Sequence, residues 1–173
     1  MSTERSDRLY DTWRASAEKF DYFVLGILGA LCAYIANNFE PGILGLNPKT
    51  FELAALAVFF ASAIFGFLRV ESSVLVTSLN HRQLRANEQR GLLTQQLANG
   101  RPFLNSATGQ IYAPHDAQAE IASINQSLPG INKQMERARR RAEIAYACRN
   151  RLVVLGFLVL VGARVWGVYY HAV

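Results

Sequence analysis

Apolar residues along this chain gather in three blocks, at Tyr22 to Asn37, Leu53 to Leu68 and Leu152 to Ala163, none of which holds a charged side chain. Charges crowd the segments between them. Extended through its aromatic flanks, each block approaches the roughly 20 residues a helix needs to cross about 30 Å of hydrocarbon. A soluble helix of this length would show a solvated face, and none is present. The pattern therefore predicts three transmembrane helices, with boundaries at 21–39, 51–69 and 151–170 and a short external loop over 40–50.

Outside the blocks the pattern changes period. Leu9, Trp13, Ala17 and Phe20 recur at spacings of three and four, with Arg8, Asp11, Arg14 and Glu18 around them. This predicts an amphipathic helix over 1–20 that lies on the membrane surface or covers the cytoplasmic region. From 70 to 150 the chain reads as a long helical hairpin. Its returning arm carries Ile121, Ile124, Leu128, Ile131, Met135, Ala138, Ala142 and Ala145 in alternating steps of three and four, the period of a coiled-coil seam. Leu75, Leu79, Ala86, Leu93 and Leu97 answer on the outgoing arm, which ends near Asn99-Gly100. Pro129 and Gly130 interrupt the returning arm and predict a kink or two shorter helices. Between the arms, Phe103, Leu104, Ile111 and Tyr112 flank turn-forming residues, which predicts a small β-hairpin whose four apolar residues contact the helix ends or a partner. The fold class is thus an all-α integral membrane protein with a coiled-coil-like cytoplasmic hairpin.

Charge sets the orientation. From Arg69 to Arg151 there are twelve bases and six acids, whereas the loop from Asn38 to Glu52 holds Lys49 alone as a base. The positive-inside rule places the N-terminus and the central region in the cytoplasm and the C-terminus outside, in a bacterial inner membrane. A cleaved leader does not fit the first block, because five acids against four bases precede it. The basic run Arg137, Arg139, Arg140, Arg141, Arg149 and Arg151 stands directly before the third block, where it is expected to meet anionic lipid headgroups. Glu136 and Glu143 break the run and aromatic interleaving is missing, which argues against nucleic acid. Arg164, beyond the membrane midplane, either snorkels to the outer headgroups or faces a bundle interior and pairs with Glu40 or Glu52.

Composition adds little chemistry. Hydrophobic residues make up 51% of 173 positions, mean hydropathy is +0.09 and the formal net charge is +5. Cys32 and Cys148 differ in membrane depth and are not expected to pair. His81, His115 and His171 are scattered, no nucleophile, phosphate-loop or zinc motif occurs, and Asp116 reads as a helix cap, so no enzyme, metal or cofactor is expected. Small residues, notably Gly26, Gly29, Ala30 and Ala33, mark faces for close helix approach. Two functions fit: a homo-oligomeric channel-like or pore-forming assembly with a sensing hairpin, and a non-conducting anchor or scaffold recruiting a cytoplasmic protein through the hairpin tip. The layout is similar in kind to small membrane effectors of bacterial defence systems, in architecture alone.

Overall fold

The computed structural model describes residues 2–39, 45–99, 103–104, 109 and 111–170. Three long helices make the fold all-α: α1 over Ser2–Asn37, α2 over Pro48–Ala98 and α3 over Pro114–Tyr170. Two two-residue strands, β1 (Phe103–Leu104) and β2 (Ile111–Tyr112), pair antiparallel, Phe103 with Tyr112 and Leu104 with Ile111. Gly109, just before β2, has φ of 70°, a conformation that glycine adopts without a steric cost. The side chains of these four strand residues, the turn at 105–108, Glu40, the Pro41-Gly42 turn, His171 and the amphipathic positions Arg8, Leu9, Asp11, Trp13 and Arg14 lie outside the described residues or side chains.

Helix starts follow local chemistry. Asn47 caps α2: its Oδ1 accepts the Thr50 amide at 2.9 Å, and Pro48 takes the first helical position, where its missing N–H costs nothing. At α3, Pro114 again comes first, and Asp116 reaches back from the first turn to accept the Ala113 amide at 3.3 Å. Asp116 thus serves the start of α3 as one half of a capping box. The helix continues through Pro129 without a break, so the two-helix alternative does not apply. Helix α1 is likewise continuous across residues 20 and 21, where sequence placed a boundary.

The chain divides into two compact units, residues 1–71 with 141–173, and residues 72–140. In the first, Leu28, Ile35, Ala55 and Phe59 form a buried core, joined by Val24, Leu31, Leu56, Val153 and Leu160 from all three helices. Phe59 meets Phe157 edge-on, with ring centroids 5.2 Å apart at 78°, and a Cβ added at Gly156 would stand 2.7 Å from the Phe59 ring. Glycine at 156 is what lets the ring approach the α3 backbone. Phe23, Phe60, Phe67 and Leu158 point outward from the same bundle. An apolar exterior around an apolar core is the arrangement a bilayer favours.

In the second unit, Leu93, Ala117 and Ile124 are buried together, with Ala86, Leu97, Ile121 and Leu128 against them. Gln89 bonds Glu120 at 3.0 Å and Arg90 bonds Asn125 at 3.2 Å, flanking that core. Every seam position from Ile121 to Ala145 is buried or half-buried, while their neighbours along α3 are mostly exposed. On the outgoing arm Leu79 and Leu93 are buried, but Leu75 is exposed. Replacing Ile124 with aspartate places an unpaired charge in this core and is expected to cost about 3 kcal/mol. Chemical unfolding of the full chain measures it; a loss below about 1 kcal/mol would show that the seam is not packed.

Candidate functional site

Polar side chains converge at two levels of the first unit. Asp21 begins the first apolar span, Arg69 follows the second and Arg149 precedes the third, so bundling the three helices brings them to one level. Asp21 Oδ1 accepts from Arg149 Nη1 at 2.7 Å, and Oδ2 accepts from Arg69 Nε at 2.6 Å. Both bonds are charge-assisted, and one carboxylate thereby ties α1 to α2 and α3. The Arg149 side chain is 0% exposed, Asp21 8% and Arg69 20%. The Tyr146 ring lies 4.0 Å from the Arg69 guanidinium carbon and 5.1 Å from that of Arg149, within cation–π range of both.

The surroundings hold Arg149 in place. Its Nε donates to Asn150 Oδ1 at 3.2 Å, and its carbonyl accepts from Ser62 Oγ at 3.0 Å. A Cβ at Gly66 would stand 3.5 Å from the Arg149 Cδ and 2.5 Å from the Leu25 Cδ2, so that glycine makes room for both chains. Arg149 Nη2 is buried and has no acceptor among the described residues. Two guanidiniums against one carboxylate leave the cluster with one excess positive charge.

At the other level, Arg164 Nη1 meets Glu52 Oε1 at 3.3 Å. Phe51 and Trp166 stack beside them with ring centroids 5.5 Å apart. An open groove of about 550 Å³ lies here, lined by Asn38, Lys49, Glu52, Arg164 and Val168 among others. Arg69 and Glu52 are 17 positions apart and Arg149 and Arg164 are 15 apart, or about 25 Å and 22 Å along their helices. Two charged levels thus bound an apolar slab. With side chains reaching outward from each level, the slab matches a hydrocarbon layer of about 30 Å.

The residues singled out from sequence fall as follows. Arg137, Arg139, Arg140, Arg141 and Arg151 are exposed, whereas Arg149 is fully buried on Asp21. Burial follows from the seam itself, since Arg149 comes four positions after Ala145 and continues its step. Of the two partners named for Arg164, it meets Glu52, and Glu40 lies outside the described residues. Gly26 and Gly29 are exposed, and among the described residues nothing stands within 4 Å of an added Cβ at either. Among the described residues, no group of three or more His, Cys, Asp or Glu could hold a metal ion.

Comparison with protein-family models, with curated proteins and with solved structures gives no match to this chain. The class rests on its own physics. Helices spanning Ala15–Asn37, Pro48–Ala98 and His115–Val168 each contain a stretch long and apolar enough to cross a bilayer. With an apolar exterior and two charged levels bounding the slab, they define an all-helical membrane protein.

The Arg164 side chain is 56% exposed, which limits what its ion pair contributes. Arg164→Leu is expected to change stability by no more than about 1 kcal/mol, because an exposed pair is largely screened by solvent. Thermal unfolding of the purified variant measures this. A larger loss would place Arg164 in a buried network rather than at a wet interface.

Proposed function

We propose that the protein is a homo-oligomeric inner-membrane assembly, channel-like or pore-forming, in which the coiled-coil-like helical unit of residues 72–140 gathers protomers or senses a cytoplasmic signal. The observation that carries this reading is the small-residue face of α1, where no described residue stands within 4 Å of a Cβ added at Gly26 or Gly29. Small residues open to lipid gain no packing, whereas the same residues let a second helix approach closely. The protomer's own slab is filled by Leu28, Ile35, Ala55 and Phe59. A conducting path therefore has to form between protomers, which makes oligomerisation a condition of this function. Anionic lipid headgroups are the expected ligands of the exposed arginines on α3.

A second reading is favoured by Leu84 and Leu92, which are exposed on the α2 arm of the second unit. Apolar side chains of this size on a solvated helix face suit contact with a cytoplasmic protein, and the protein is then a non-conducting scaffold. Its other expected contact is the hairpin tip at Phe103, Leu104, Ile111 and Tyr112.

Two measurements separate these readings. Purified protein reconstituted in liposomes is expected to conduct and to run as an oligomer in detergent; a monomer without conductance would remove the pore. Orientation is read by labelling single cysteines placed at Thr50 and Gln126 in a chain whose Cys32 and Cys148 are replaced by alanine. Thr50→Cys is expected to react from outside intact cells and Gln126→Cys only after lysis. The reverse pattern would invert the topology.

A further inference from the structure

The cluster around Asp21 is electrically incomplete. Asp21 spends both carboxylate oxygens, one on each arginine, and still leaves one positive charge in excess. Arg149 is fully buried, yet its Nη2 has no acceptor among the described residues. Arg69 uses only Nε on Asp21, so its terminal nitrogens have no partner among the described residues, and its side chain is one-fifth exposed. An unbalanced guanidinium buried in protein is costly unless a second anion answers it. Tyr146 keeps the two guanidiniums together by offering its ring to both, which preserves a fork of donors on the pair.

We propose that Arg69 and Arg149 form a binding site for a phosphate group of net negative charge, which enters at the partly exposed Arg69 and accepts a hydrogen bond from Arg149 Nη2. The chemistry follows from the donors. Arginine pairs bind phosphate oxygens in forked geometry, and the excess of one positive charge matches a phosphodiester of one negative charge. A zwitterionic headgroup brings its own cation and does not balance the site. The level of the cluster, where three apolar spans end together, is where lipid phosphates lie. This deepens the headgroup expectation by moving it from the exposed run on α3 to a defined site, and it depends on membrane placement, not on conduction.

The test uses the full chain in nanodiscs of phosphatidylcholine, titrated with phosphatidylglycerol, with the melting temperature as readout. Wild-type protein is expected to gain stability saturably. Arg69→Lys keeps the charge on Asp21 but loses the fork, and is expected to weaken the apparent affinity by about tenfold or more. The double variant Arg139→Gln/Arg140→Gln, in the exposed run, is expected to stay within about twofold of wild type, as solvated charges contribute little. Equal affinity in Arg69→Lys, or a loss confined to the double variant, would overturn the site in favour of a diffuse patch. Should Arg69→Lys not fold, wild-type protein melting identically with and without phosphatidylglycerol overturns it just as well. In phosphatidylcholine discs, inorganic phosphate that stabilises with the same dependence on Arg69 upholds the site and identifies free phosphate as its source. Stabilisation by phosphatidylglycerol without a response to inorganic phosphate upholds it with lipid as the source. Conductance measured on the same samples reports on the pore separately.

Discussion

Asp21→Ala is expected to destabilise the three-helix bundle by about 3–5 kcal/mol, the loss typical of removing one partner from a buried ion pair. The reason lies in what remains. Arg149 stays fully buried with its strongest acceptor gone, and Arg69 is left beside it as a second like charge. Most of the cost is therefore the stranded arginine, not the lost hydrogen bonds. This can be separated experimentally, because apolar replacement of a whole buried pair is often close to neutral. Arg149→Met added to Asp21→Ala is expected to recover at least about half of the loss, giving a coupling free energy of more than about 1 kcal/mol in a double-mutant cycle. Denaturant unfolding in detergent supplies all four stabilities. If Asp21→Ala loses less than about 1 kcal/mol, the cluster does not hold the helices together.

Much of this architecture is legible without coordinates, because a bilayer leaves few solutions for an uncharged apolar run. The three spans follow from Tyr22 to Asn37, Leu53 to Leu68 and Leu152 to Ala163, and the period along α3 marks the face on which Ile124, Ala138 and Ala145 are buried. The ion cluster is less legible. Asp21, Arg69 and Arg149 are separated by 48 and 80 positions, and one sequence offers no signal that joins them. A signal for Arg149 alone did exist. The alternation that runs to Ala145 reaches Arg149 at its next step, which is the face that the helix buries. The small residues show a different limit. Periodicity says that Gly26 and Gly29 share a face, as Gly66 shares one with Ser62, but it does not say which neighbour each face meets. A Cβ at Gly66 or Gly156 would strike Leu25 or Phe59, whereas one at Gly26 or Gly29 would meet no described residue within 4 Å. Choosing between these outcomes requires the packing of all three helices at once.

Phe59 and its neighbour Phe60 offer the sharpest contrast within the slab. Both are phenylalanines in the middle of the second span, yet Phe59 is 0% exposed and Phe60 is 63% exposed. In a water-soluble protein, Phe→Ala in the core costs about 3–5 kcal/mol, part of it the transfer of the ring from interior to water. In a bilayer the ring outside the bundle meets lipid, so the transfer share nearly vanishes and the packing share remains. Phe59→Ala is accordingly expected to cost about 2–3 kcal/mol, through the void left against Gly156 and the lost edge contact with Phe157. Phe60→Ala is expected to stay within about 0.5 kcal/mol, as it removes contacts that lipid replaces. Filling the same site from the opposite side is also harmful: Gly156→Val would drive a side chain into the Phe59 ring, at an expected cost of about 1–3 kcal/mol. Pairing Gly156→Val with Phe59→Ala is expected to cost less than the sum of the two, because the void receives the added methyls. Unfolding of the wild type and the four variants in one detergent tests the set. Equal losses for Phe59→Ala and Phe60→Ala would mean that the two rings share one environment, and the packed face of α2 would have to be reassigned.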